Sequence, residues 1–192
     1  QKALLSWKMD GLTIVLTYRN GELVKAVTRG NGEVGEVITN NAKTFKNLPL
    51  RIAYQGELML RGEAVIGYTD FEKINASIED ETLKYKNPRN LCSGSVRQLN
   101  SAITAERSVN FFAFALVQCE ETEFTSREEQ VRFMQSMGFS VVPCVRVEQD
   151  TILAEVESFA QKVAEYDIPS DGLVLILDDI AYGESLGRTS KF

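Results

Sequence analysis

The chain has 192 residues, with 21 Lys and Arg against 27 Asp and Glu, for a formal net charge of −6. It contains no histidine, which excludes a Ser-His-Asp triad, a histidine general base and any histidine-ligated metal. Hydrophobic residues at 44% and charged residues at 25% are globular values, and an acidic whole argues against gripping nucleic acid through bulk charge. Cys92, Cys119 and Cys144 are odd in number and form no CxxC pair, so neither a structural zinc site nor a disulfide framework is expected. They fit a reducing cytosol, hence a cytoplasmic location. The longest apolar run, FFAFALV at 111–117, is far short of a membrane span, and no membrane partner is expected.

In chain order, SWKMDG at 6–11 is strand-like. Residues 12–18 (LTIVLTY) and 22–29 (ELVKAVTR) are rich in β-formers and flank Asn20-Gly21. That pair suits a type I′ turn, whose two central positions both need positive φ, so a hairpin is predicted. A glycine-studded loop follows at 29–36 (RGNGEVGE), then a short helix over 37–46 that Pro49 ends. The next strand is expected at 57–66, and Asp70 reads as the N-cap of a helix over about 71–81 with Lys73 as its exposed charge. Segment 84–100 reads as loop followed by a short helix, and strand character returns at 109–118 and 140–147. Between those strands Ser126 opens a helix, with Glu129 at the capping-box position and Gly138 as C-cap. A further helix is expected over about 150–166 and a last strand at 172–177, followed by an acidic loop. Strands arriving in pairs with helices inserted between them define an α+β class.

Lys8 and Asp10 sit two residues apart, so on a strand both side chains point to one face, and Gly11 permits close backbone approach. A lysine amine becomes a good nucleophile when it is desolvated or set beside other cations. For an isolated KxDG, a strand-edge lysine paired with a nearby aspartate is the simpler reading. The acidity is also unevenly spread. Residues 84–119 carry 5 basic side chains against Glu106 alone, net +4, whereas residues 120–192 carry 6 basic and 15 acidic ones. A local basic patch is what phosphate contact needs.

KMDG at 8–11 has company. TRGNG at 28–32, LRGEAV at 60–65, NPRN at 87–90, SVRQL at 95–99, FFAF at 111–114 and DGLVL at 171–175 follow in order. Together they resemble the adenylation domain of NAD-dependent DNA ligases, a branch of the covalent nucleotidyltransferases, over essentially the whole chain. The resemblance implies the nucleotidyltransferase fold (ATP-grasp-like, shared by DNA ligases and mRNA-capping enzymes), with mainly antiparallel sheets and flanking helices. It implies that Lys8 attacks the α-phosphorus of NAD, expels nicotinamide mononucleotide (NMN) and holds AMP. The AMP then passes to the 5′-phosphate of a DNA nick, which is sealed in replication and repair.

By the same resemblance Asp10 and Asp171 serve the catalytic centre, Asp171 as a candidate for metal or lysine support, with Mg²⁺ neutralising phosphate charge. Arg29 looks like the arginine that contacts the nucleotide, Glu63 like the carboxylate on the AMP ribose, and Phe114 like the ring offered to adenine. A solvated hairpin-end arginine, a Glu63–Arg61 pair and an ordinary core phenylalanine are the plainer alternatives. Arg89 and Arg97 resemble arginines that act on nicked double-stranded DNA, the alternative being surface charge.

Two positions depart from the family pattern. Ser6 stands where a glutamate poised at the adenine is common, and Ile176 where the fourth motif usually carries a lysine. Because Lys8, Asp10, Arg29, Glu63 and Asp171 remain, a lineage variant is expected, not a dead enzyme. Residues 1–192 are expected to form an incomplete adenylation domain. The NMN-binding domain, the last lysine motif, the OB-fold, the zinc finger with its zinc, and the helix-hairpin-helix and BRCT regions would lie outside it. Alone, the chain is expected not to seal nicks and to self-adenylate weakly. Competing readings are an ATP-using ligase or capping-type guanylyltransferase, and a non-catalytic nucleotide-binding module.

Overall fold

The structure, a computed structural model, describes residues 1–30 and 33–187. Asn31 and Gly32 of the predicted glycine loop, and the polar segment after Gly187, lie outside the described residues. Strand β1 (Ala3–Met9) passes through Asp10-Gly11 into the hairpin of β2 (Leu12–Arg19) and β3 (Glu22–Thr28). A single turn, α1 (Thr39–Ala42), precedes β4 (Leu58–Val65) and the helices α2 (Tyr68–Ala76), α3 (Pro88–Val96) and α4 (Ser101–Ala105). Strand β5 (Asn110–Cys119) leads to α5 (Arg127–Ser136), β6 (Cys144–Val147), α6 (Ile152–Lys162), β7 (Ser170–Leu177) and α7 (Ile180–Ser185). The strands make a three-stranded sheet, β6-β1-β7, and a four-stranded sheet, β3-β2-β4-β5, with every named pairing antiparallel. This is the expected α+β arrangement.

Alternation along β1 sends Ala3, Leu5 and Trp7 to one face, where α6 covers them through Phe159. Leu4, Ser6 and Lys8 take the opposite face, toward a cleft between the sheets. On β2 the buried Ile14, Leu16 and Tyr18 enter the main core with Leu58 and Leu60 of β4 and Leu91 and Val96 of α3. A small apolar cluster of Met9, Val65 and Val142, backed by Phe112, Phe114 and Ile168, fills the junction of the two sheets.

The hairpin turn is as predicted, with φ of 50° at Asn20 and 75° at Gly21. The α5 signals also hold: Ser126 caps the helix, its capping box with Glu129 is closed, and Gly138 follows at φ 95°. Elsewhere the local signals mislead. Asp70 lies in the first turn of α2, whose N-cap is Gly67. The capping carboxylate comes instead from Asp167, which accepts from Thr69 N at 3.0 Å and Thr69 Oγ1 at 2.8 Å. The helix expected over 37–46 shrinks to four residues. There Asn41 turns inward, donating to the Val96 and Gln98 carbonyls at 2.7 and 2.8 Å, and such side-chain bonds compete with helix continuation.

The strand expected at 140–147 begins only at Cys144, since Pro143 lacks a ladder donor. The acidic loop after β7 is instead a cap, Asp179 accepting from Tyr182 N at 2.9 Å to open α7. Gly11 has no room for a side chain, since a Cβ there would stand 2.0 Å from the Ala64 carbonyl oxygen of β4. Gly11→Ala is expected to cost about 1–3 kcal/mol, read as a fall in the urea midpoint. An unchanged midpoint would mean that β2 and β4 have room to separate there.

Candidate active site

A cleft of about 370 Å³ opens between the two sheets, within the ordinary range of about 300–1,000 Å³ for small-molecule sites. Lys8 stands on its β1 wall, 59% exposed, with Nζ 3.5 Å from Asp171 Oδ2 on β7. The Lys8 carbonyl accepts from Ser170 Oγ at 2.9 Å, which ties β1 to β7 beside the amine. Asp10 lies in the β1–β2 turn, its backbone N–H donating to Pro169 O at 2.9 Å. Its Oδ1 accepts from Arg89 Nη1 at 3.2 Å. Arg89 sits in the first turn of α3, which Asn87 caps with Pro88 at the first helical position. The arginine is thereby aimed into the cleft.

The four-stranded sheet supplies the opposite wall. Glu63 on β4 is directly opposite Thr13 on β2, and Thr13 Oγ1 donates to Glu63 Oε2 at 3.1 Å. Burial pushes the Glu63 carboxyl up to about 7. Thr13 and Arg89 pull it down, whereas Asp10 and Asp171 push it further up. Arg29, just past β3, is held by its own N–H donating to Thr13 O at 3.0 Å.

Phe114 reaches the cleft through a break in register. Gly62 is opposite Ala113 and Arg61 opposite Ala115, so Phe114 is the extra residue of a bulge in β5. A bulge re-aims its side chain, here onto the cleft wall. Arg61 lines the same cleft, so four cationic side chains (Lys8, Arg29, Arg61, Arg89) and three carboxylates (Asp10, Glu63, Asp171) face one space. Such a set suits a ligand carrying both phosphates and sugar hydroxyls.

Ser6 and Ile176 line the cleft from neighbouring strands, Ser6 opposite Val174 and Ile176 opposite Leu4. These two side chains carry no charge, so this part of the wall holds no stranded ion. Arg97 is not brought to the cleft. It follows α3, pairs with Glu36 at 3.3 Å and donates to Ser93 Oγ at 2.7 Å. Thr13 is the site residue that sequence reasoning missed. LTIVLTY carries two threonines on one strand face, Thr13 and Thr17, and nothing local marks the one that meets Glu63.

Among the described residues there is no group of three or more His, Cys, Asp or Glu side chains that could hold a metal ion. Cys92, Cys119 and Cys144 are all free. No helix among the described residues is long and apolar enough to cross a membrane.

Solved structures with this fold include an archaeal ATP-dependent RNA ligase, form 2, with TM-score 0.53 and 18% identity over 93% of this chain and 40% of that one. A mycobacterial DNA ligase D complexed with ATP and MES matches with TM-score 0.51 and 13% identity over 93% of this chain and 49% of that one. The architecture is therefore that of the ATP-dependent ligase and nucleotidyltransferase-type domains.

Sequence similarity goes further. The family model described as NAD-dependent DNA ligase adenylation domain matches residues 1–192, and the chain belongs to that family. Its relatives include the DNA ligases of Lachnoclostridium phytofermentans, 66% identical, and Ruminiclostridium cellulolyticum, 60% identical, each over 100% of this chain. That of Clostridioides difficile is 37% identical over 98% of this chain. The chain spans 28–30% of the length of these relatives.

A carboxyl raised in the fold holds a proton that the unfolded chain releases near pH 4.3. Its contribution to stability is complete below that pH and is lost as pH rises through about 7. Relative to wild type, Glu63→Gln should therefore gain stability as pH rises across this window and then level off. Urea unfolding at a series of pH values checks this, and a pH-independent difference would contradict it.

Proposed function

We propose that this chain is the nucleotide-transferring centre of an NAD-dependent DNA ligase, in which Lys8 becomes transiently adenylylated. The observation that carries this reading is one lysine at the mouth of a cleft whose opposite wall bears a half-buried carboxylate and a re-aimed aromatic ring. The Lys8 amine attacks the α-phosphorus of NAD. A nitrogen–phosphorus bond forms, the bond to the bridging oxygen breaks, and NMN leaves with that oxygen on its phosphate. Asp171, 3.5 Å from the amine, is placed to take the proton the amine must lose.

Glu63 accepts from the ribose hydroxyls, Phe114 offers its ring to the adenine, and Arg29 and Arg89 meet phosphate oxygens. Asp10 holds Arg89 in the cleft until phosphate replaces it as partner. Ser6 and Ile176 border the adenine end without charge. Magnesium would be carried mainly by phosphate oxygens and water, with the Asp171 carboxylate as this chain's contribution. The ion would neutralise phosphate charge while the linkage breaks.

In the parent protein the AMP moves to the 5′-phosphate of a nick in double-stranded DNA. The neighbouring 3′-hydroxyl then displaces it and seals the strand. Arg97 lies outside the cleft in the basic 84–119 segment, and we assign it to the DNA backbone. Nick sealing is assigned to a full-length ligase, to which residues 1–192 contribute an incomplete adenylation domain.

Intact mass after incubation with NAD and Mg²⁺ should show slow gain of one adenylyl group, and Lys8→Ala should show none. Equal gain in the variant would overturn the assignment of the nucleophile. Replacing NAD by ATP should give no adduct, and an ATP-derived adduct would favour the ATP-dependent reading. Arg97→Ala should weaken duplex binding across all sequences and lower its salt slope by about 1. An unchanged slope would remove Arg97 from the DNA contact.

A further inference from the structure

Thr13 ties together two strands and a loop. Its hydroxyl donates to Glu63 Oε2 on β4, while its backbone carbonyl accepts the Arg29 N–H just beyond β3. As a residue of the strand between β3 and β4, it is the shared neighbour of two groups assigned to the nucleotide. A hydroxyl supplies one proton to a carboxylate and leaves the second carboxylate oxygen, Glu63 Oε1, available to a ligand. The β-branched side chain also has few χ1 alternatives, so the donor stays aimed at β4.

The surroundings of Glu63 explain why such an anchor matters. Arg89 of α3 favours the charged carboxylate, and Asp10 of the β1–β2 turn and Asp171 of β7 oppose it. The buried Cys92 thiol of α3 lies in its field, and Lys8, Arg29 and Arg61 share the cleft. Four elements therefore bias this one carboxyl, in both directions.

We propose that Thr13 is a positioning residue of the adenylation site, holding Glu63 ionised and oriented with Oε1 toward the ribose diol, and holding Arg29 through the backbone. This rests on the adenylation reading above, and it adds a residue and a regulated quantity to it. Thr13 touches no reacting atom. It sets the pH at which Glu63 becomes a competent acceptor. Burial pushes the Glu63 carboxyl up to about 7 and the Thr13 hydroxyl pulls it down, so losing that donor moves the pH at which Glu63 is charged.

The test uses the chain itself, AMP as probe, and the variants Thr13→Val, nearly isosteric without the donor, and Thr13→Ser, which restores it. In the ligand-free chain, ¹³C carboxyl NMR should place the Glu63 midpoint near 7 in wild type and Thr13→Ser. In Thr13→Val it should move to higher pH. AMP affinity near pH 7.5 should fall about tenfold in Thr13→Val, the size expected of one lost hydrogen bond to a charged group. It should recover as pH rises, and Thr13→Ser should bind like wild type. A merely structural threonine would weaken binding at every pH and leave the carboxyl midpoint in place. An unmoved Glu63 midpoint in a folded Thr13→Val, or an unchanged pH profile of AMP affinity, overturns the positioning role while the adenylation reading stands. Failure of the wild-type chain to bind AMP at any pH overturns that reading, and this proposal with it.

Discussion

The site depends on a crossing. The chain leaves the middle strand of one sheet at Met9 and enters the second sheet at Leu12, with Asp10 and Gly11 alone between them. A side chain on Gly11 would meet the Ala64 carbonyl, so the crossing converges on β4 with no room between them. That convergence sets Lys8, on the last turn of β1, across a narrow cleft from Thr13 at the start of β2. The partners follow by strand pairing: β7 beside β1 brings Asp171, and β4 beside β2 brings Glu63. Helix α3 then delivers Arg89 to Asp10 from above the second sheet.

The charges of the cleft form a set that a ligand can rearrange. The Lys8–Asp171 and Arg89–Asp10 pairs are both substantially exposed, and exposed pairs are worth only about 0–1 kcal/mol. A dinucleotide can therefore exchange carboxylate partners for phosphate oxygens at small cost. Glu63 is different, being desolvated and not simply paired. Its charge is expensive, and the Thr13 hydroxyl offsets part of that cost. The weak pairs allow exchange, whereas the half-buried Glu63 is held by Thr13.

Much of this was legible in the sequence where the controlling forces are local. Asn20-Gly21 dictated its turn through φ, and Ser126, Glu129 and Gly138 bounded α5 through caps closed within a few residues. The motif residues were legible by order and type, and nine of the ten expected positions (Ser6, Lys8, Asp10, Arg29, Glu63, Arg89, Phe114, Asp171 and Ile176, but not Arg97) line one cleft. What stayed hidden depends on distant contacts. Asp167 caps α2 from 98 residues away, so the nearby Asp70 looked like the cap. Phe114 faces the cleft because β5 carries an extra residue against β4, which no alternation along β5 alone discloses. Thr13 gains its role from a cross-strand partner 50 residues on. Arg89 and Arg97, eight residues apart around one helix, read alike as DNA-side arginines, yet only Arg89 enters the cleft.

The central claim is that a single amine, fixed by the β1–β7 pairing opposite Glu63, receives the nucleotide. Peptide mapping of the chain after incubation with NAD and Mg²⁺ tests it most directly. The account predicts one AMP adduct, acid-labile and base-stable as a phosphoramidate, located on Lys8 of the KMDG segment. An adduct on any other lysine, or none in a chain that demonstrably binds AMP, would contradict it.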